Sequence, residues 1–168
     1  MNIKLFKKRK KLAELSKKHI VFIDDFLHGV AWFKIVNEGK HSYGVINKKF
    51  EIIIEPIFEK LKQFNCGLAP FYNGVEWGFI GNKGHLKISP QFYDVGEGFS
   101  ENLCPVKPTK AAHYGYINKK GIYKLPPIYQ LAWNFHCGIA QVVINNEFFF
   151  INKRGKIVTE SLHNYHGV

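Results

Sequence analysis

The scarce residues narrow this sequence first. Its three cysteines, Cys66, Cys104 and Cys137, lie more than 30 residues apart. That spacing fits neither a disulfide framework nor a CxxC zinc site, and a reducing compartment is the simpler reading. No apolar run approaches the ~18–20 residues that a membrane-spanning helix needs. Asp24 and Asp25 interrupt the only apolar stretch near the N-terminal basic run, which argues against a secretory leader and makes the cytoplasm the expected location. GxSxG, HExxH, Walker and Rossmann spacings are missing, as is any protease-type Cys/His pattern. The expectation is a protein that is not an enzyme, with no cofactor, no metal and no small-molecule substrate.

Met occurs once and Trp three times, whereas Phe occurs 15 times. Hydrophobic residues make up 46% and aromatics 15% of the chain, with 15 Gly and 7 Pro. This balance favours short strands separated by turns and argues against wholesale disorder. Acidic residues are sparse at one end only. Residues 1–18 carry eight cations (Lys4, Lys7, Lys8, Arg9, Lys10, Lys11, Lys17 and Lys18) against Glu14 alone, and so supply +7 of a net charge of +11. The remaining 150 residues are nearly balanced, at +4.

Laying the chain against itself reveals an internal repeat. Phe-x-x-Gly followed by small or apolar residues begins at Phe26, Phe64, Phe99 (with Asn102 in place of Gly) and Phe135. The intervals are 38, 35 and 36 residues. A second element pairs an aromatic with Gly: Tyr43-Gly44, Trp77-Gly78, Tyr114-Gly115 and, with Gly replaced, Phe148-Phe149. A turn then follows, ending at Phe50, Gly84, Gly121 or Gly155. In the first three copies a proline lies six residues on (Pro56, Pro90, Pro127), with an aromatic two positions after it (Phe58, Phe92, Tyr129). Constant order and offsets in four copies are not a chance pattern.

These elements resemble the bacterial WG repeats, also called KWG repeats. The resemblance covers about residues 20–160, and residues 64–93 are the best single copy. Repeat 2 alone carries the Trp-Gly pair, and repeat 4 departs furthest, as a terminal copy does when no neighbour stacks on it. The resemblance implies an interaction role and supplies no catalytic residues.

Within repeat 2, Asn73-Gly74 predicts a two-residue type I′ hairpin between strands at Gly67–Tyr72 and Glu76–Ile80. Gly84 predicts a second turn in left-handed geometry, and Leu86–Ser89 a third strand ended by Pro90. The expected fold is all-β: tandem three-stranded antiparallel meanders stacked into a solenoid-like array, about twelve strands in all, since a lone small sheet buries its apolar face poorly. Units are placed near residues 26–58, 64–93, 99–129 and 135–160. A different turn is expected where Phe50 replaces the glycine, because a bulky residue at positive φ is strained. Leu5, Leu12 and Leu15 share one helical face within residues 3–19, so residues 1–19 are expected to form a basic amphipathic helical tail. Residues 161–168 form a C-terminal tail. The apolar run Phe148-Phe149-Phe150-Ile151 would be hazardous at a bare sheet edge, which suggests that this edge is covered.

Two surfaces are candidates for binding. Lys48, Lys49, Lys83, Lys119, Lys120, Lys153 and Arg154 recur at the turn of each copy and should line one edge, as a binding stripe or merely as edge protection. The tail cations Lys4, Lys7, Lys8, Arg9, Lys10, Lys11, Lys17 and Lys18 are either a solvated helix end, a nucleic-acid contact or an anionic-membrane contact. The aromatics Tyr43, Trp77, Tyr114 and Phe148 read as core before they read as a stacking ladder for bases. The column His28, Cys66, Glu101 and Cys137 holds possible zinc ligands. Tetrahedral zinc needs its ligands within about 2.0–2.3 Å of one point, while adjacent strands alone stand ~4.8 Å apart, so four rungs cannot converge. Asp24-Asp25 reads as a solvated loop, and most of the eight histidines should be exposed. A protein partner is the leading expectation, RNA bound through residues 4–18 the alternative, and a membrane surface less favoured.

Overall fold

A computed structural model of the chain describes residues 20–159. The expected N-terminal helix, its eight cations and the C-terminal tail fall outside these residues. Every element described is a β-strand, and the strands form four separate four-stranded sheets. The first holds β1 (Ile20–Ile23), β2 (Val30–Asn37), β3 (Lys40–Asn47) and β4 (Ile52–Phe58). The second holds β5 (Lys60–Leu61), β6 (Leu68–Tyr72), β7 (Trp77–Gly81) and β8 (Leu86–Phe92). The third holds β9 (Asp94–Val95), β10 (Cys104–Lys107), β11 (Tyr114–Ile117) and β12 (Tyr123–Tyr129). The fourth holds β13 (Leu131–Ala132), β14 (Ile139–Ile144), β15 (Glu147–Asn152) and β16 (Ile157–Thr159). Each sheet is an antiparallel meander in chain order, so the chain finishes one unit before starting the next.

The three-stranded unit read from the sequence is therefore one strand short. The missing strand is the short one before each Phe-x-x-Gly element; with only two residues in three of the units it is too brief to show a period-2 pattern. That element is itself a tight hairpin. Its two central residues have positive φ in every copy: His28 (51°) and Gly29 (90°), Cys66 (53°) and Gly67 (84°), Glu101 (50°) and Asn102 (69°), Cys137 (50°) and Gly138 (79°). Paired backbone bonds close each turn, as between Leu27 and Val30 at 2.9 and 3.1 Å. This is the geometry of a type I′ hairpin, whose twist matches that of the strands it joins.

The predicted type I′ turn at Asn73-Gly74 does not form. Only Gly74 has positive φ (102°), and the Asn73 side chain accepts bonds from the amides of Val75 and Glu76, both at 2.9 Å. An Asx turn has replaced the hairpin turn, consistent with the readiness of Asn to bond the backbone just ahead of it. The turn ending at Phe50 also differs from expectation. It is the same turn as in the other copies, with Phe50 at φ 58° and its amide donating to Asn47 O at 2.8 Å.

Stacking explains that tolerance. A Cβ at Gly84 would meet Ile53 of the first sheet at 3.3 Å, and one at Gly121 would meet Ile88 of the second at 3.2 Å. Phe50 belongs to the first sheet, and no sheet precedes it among the described residues. Its ring instead meets Phe26 edge-on at 5.7 Å, beside the buried Phe33 and Ile46.

The aromatic-Gly pair has a separate cause. In the first three sheets the last strand is bulged: Trp77 opposes Phe92 while Phe79 opposes Ile88, so two residues face four. Pro90 sits in this bulge, a place where a missing donor costs little; the strand continues past it to Phe92 and does not end there. The bulged backbone lies directly over Gly78, where a Cβ would stand 2.8 Å from both Ile88 O and Pro90 N.

The core lies between the sheets. Phe64, Phe99 and Phe135, each at most 2% exposed, sit against the preceding sheet. Phe64 packs with Val45, Ile54 and Phe58, Phe99 with Phe79 and Phe92, and Phe135 with Tyr116 and Tyr129. Ring centroids of Phe79–Phe99 and Tyr116–Phe135 are 5.0 and 4.9 Å apart. Phe148–Ile151 lies in β15, where β14 pairs with all four residues and β16 pairs with Phe150 and Ile151 on the other side.

Two substitutions test this arrangement by urea unfolding. Phe99→Ala is expected to cost about 3–5 kcal/mol through the cavity left between two sheets. Gly78→Ala is expected to cost about 1–3 kcal/mol through overpacking against the bulge, although neither removes a hydrogen bond.

Candidate functional site

A meander places its first and third turns at one end of each sheet and its second turn at the other. In the first sheet the Lys48 amide reaches Gly29 O at 3.3 Å, joining the third turn to the first. Between the third and fourth sheets Glu101 makes the same connection with charge. Its carboxylate accepts from the Gly138 amide at 3.1 Å and meets Lys153 Nζ at 2.6 Å. The Lys153 bond and then the Gly138 amide hold the Glu101 carboxyl below the usual carboxylate range.

The third turns share one framework. Asn47, Asn118 and Asn152 each use the side-chain oxygen to accept two backbone amides, those of Lys49 and Glu51, Lys120 and Ile122, and Arg154 and Lys156, at 2.8–3.1 Å. The second sheet has Gly81 at this position and closes its turn by backbone bonds alone. Because each third-turn glycine rests on the preceding sheet, the turns follow one another along one side of the array. Lys48, Lys49, Lys83, Lys119, Lys120, Lys153 and Arg154 are all exposed on them. Lys153 pairs with Glu101, and the other six are in no ion pair among the described residues. These seven cations are brought together as one row; Lys4 to Lys18 lie outside the described residues.

The aromatic column does not form a ladder. Trp77 is buried, Tyr43 and Tyr114 are half-buried, and Phe148 is exposed. Their ring partners lie within their own units: Trp32 for Tyr43 and Tyr72 for Trp77, both at 5.4 Å, and Trp133 for Phe148 at 6.2 Å. Tyr114 donates to the Asp94 carboxylate. Burial and this acidic neighbour push its phenol well above the ordinary range.

The column His28, Cys66, Glu101 and Cys137 occupies the first central position of the four hairpin turns. No cluster of three or more His, Cys, Asp or Glu able to hold a metal occurs among the described residues. Cys66 and Cys137 are exposed, while Cys104 is buried and its thiol pushed far up by that burial. All five described histidines are exposed, as is Asp25 beside the half-buried Asp24.

Two groups of residues escaped the sequence reading. Lys62 Nζ donates to Val95 O and Gly96 O, both at 3.2 Å, pairs with Glu97 at 3.0 Å and stands over the Trp77 ring at 5.3 Å. It thus ties the second sheet to the third beside a pocket of about 240 Å³. The other group, around Trp133, His136 and Phe150, lines a pocket of about 490 Å³ on the fourth sheet. No motif marks either, because each depends on what the neighbouring unit supplies.

Stacked β-meander units of one pattern define a repeat protein. The chain belongs to the WG containing repeat family, whose model matches residues 43–74, 77–107 and 114–148, more than half of the sequence. The family count is three, not the four read from the sequence. Each match begins at or within the third strand of one sheet and reaches the second strand of the next, so three family repeats and two flanking half-units make four sheets. No curated protein and no solved structure matches the chain.

The lowered Glu101 carboxyl favours the folded state above the ordinary glutamate pKa, near 4.3, and that contribution is lost as pH falls through the lowered value. Unfolding midpoints measured from pH 6 to pH 2.5 are expected to fall less steeply for Glu101→Gln than for the parent chain.

Proposed function

We propose that the chain is a non-catalytic binding module that presents the third-turn row to an acidic surface of a protein partner. The observation that carries this reading is the row itself: seven exposed cations borne on four turns of like geometry, held in order by stacking. Turns fixed by Asn side chains and by the neighbouring sheet lose little entropy on binding, which favours affinity at modest contact area. Complementary charge along such a row steers encounter and sets specificity.

The second reading is an RNA contact through residues 4–18, and it rests on eight cations against one acid in that segment. A contact of that kind falls steeply with salt through counterion release.

Both readings meet in one capture experiment from native lysate, run at low and high salt. Its baits are the full chain, a chain lacking residues 1–18, and the full chain carrying Lys83→Glu, Lys119→Glu and Lys120→Glu. The expected outcome is a protein that both the full and the shortened chain retain, with at least tenfold less on the reversed chain, equivalent to about 1.4 kcal/mol. Undiminished capture by the reversed chain defeats the row. Nucleic acid that disappears with residues 1–18 establishes the second reading instead.

A further inference from the structure

Three internal interfaces show what the outward face of each sheet does. Leu68 and Leu103, on the second and third sheets, are 6% and 7% exposed because the next unit covers them; Ile139, at the same position on the fourth, is 41% exposed. Trp77 is 8% exposed and its counterpart Phe148 is 51% exposed. Phe79 and Tyr116 are fully buried under Phe99 and Phe135, whereas Phe150, their counterpart, is only half-buried. The pocket of about 490 Å³ is lined by Ile139, Phe150, Trp133, Asn134, His136 and Gln141. It therefore lies where the earlier sheets receive the phenylalanine of the next unit.

The polar groups repeat the same correspondence. Asn65, just after Phe64, donates to Glu97 O of the next unit at 3.2 Å, and Ser100, just after Phe99, donates to Phe135 O at 2.6 Å. His136, just after Phe135, holds this position on the fourth sheet and is exposed.

We propose that the outer face of the fourth sheet is a receptor for the aromatic hairpin turn of another WG-type polypeptide. Ile139 and Phe150 seat the ring, and His136 donates to a backbone carbonyl beside it. The fit continues an interface that the chain already builds three times. The opposite end of the array is closed: Ala31, Phe33 and Ile46 are at most 2% exposed, and Phe26 is engaged with Phe50. A second copy therefore offers no free aromatic turn from its first sheet, and the occupant is a different chain with Phe two residues before a left-handed turn and Leu or Ile after it.

The probe is a head-to-tail cyclised peptide of residues 60–72 of this chain, used under reducing conditions. It contains Phe64 and no tryptophan, so the emission is that of the protein's three tryptophans, of which Trp133 alone lines this pocket. Titrated into the full chain, it is expected to shift that emission to shorter wavelength with a saturable isotherm. Phe64→Ala in the peptide, or Ile139→Ser in the protein, should weaken binding at least tenfold. Trp133→Phe should remove the spectral change while calorimetric binding persists. Equal binding of the Phe64→Ala peptide, or none by either peptide, overturns the proposal. Binding that appears only once residues 160–168 are removed overturns it in favour of self-coverage. A concentration-dependent dimer abolished by Ile139→Ser overturns it in favour of a second copy. The site is separate from the cationic row, so its failure leaves the capture experiment untouched.

Discussion

The insertion of one phenylalanine from each unit into the sheet before it is the contact on which this structure depends. A four-stranded meander has one apolar face too many for its size. Phe64, Phe99 and Phe135 resolve this by burying the outward face of one sheet with the entry to the next. The hairpin turn follows at once, so the ring is fixed in direction by a turn of positive φ and does not rely on packing alone. Stability becomes a chain of nearest-neighbour terms, as in other repeat arrays. The same contact sets the third turns side by side and so makes a row of cations from residues ~35 apart in sequence.

Backbone crowding, more than side-chain chemistry, accounts for the glycines of the motif. Gly78 lies beneath a proline-marked bulge, and Gly84 and Gly121 rest on an isoleucine of the previous sheet. The exceptions fall at the ends of the array. Phe50 sits in left-handed geometry in the first sheet, where no earlier sheet among those described confines it. Phe149 stands for the glycine in the fourth sheet, and the segment that would cross it lies beyond the described residues. Both departures fall where the described residues supply no neighbouring segment of the kind the other units have.

The two surfaces proposed for binding differ in physical kind. The third-turn row is long, charged and rigid, and suits a complementary acidic surface at modest affinity. The face around Ile139, Phe148 and Trp133 is compact, apolar and aromatic, with the composition that dominates binding energy in protein interfaces. A chain with both can hold one partner by charge along its side and another by shape at its end.

Much of this was legible in the residues. Recurrence at 35–38 residues, aromatic-Gly pairs, turn glycines and Pro-x-aromatic tails specified a stacked all-β repeat, because each reflects a local backbone demand that recurs with every unit. The turn cations were legible for the same reason: a residue at a fixed offset in a repeat lands on a fixed side of the stack. Local propensity failed where the neighbourhood decides. The two-residue strands carry no periodicity and exist only because β6, β10 and β14 pair with them. Asn73-Gly74 reads as a hairpin turn alone, but the Asn73 side chain captured the backbone first. The inter-sheet role of Lys62 and the acid–base link of Glu101 to the next unit arise from residues 30 or more positions apart, and the exposure of Ile139 from the want of a next sheet among the described residues. The sequence by itself determined the unit and its order, through backbone geometry that each copy carries within it. Only the tertiary structure decided which faces were closed and which stayed open, because burial belongs to a pair of units and not to either one.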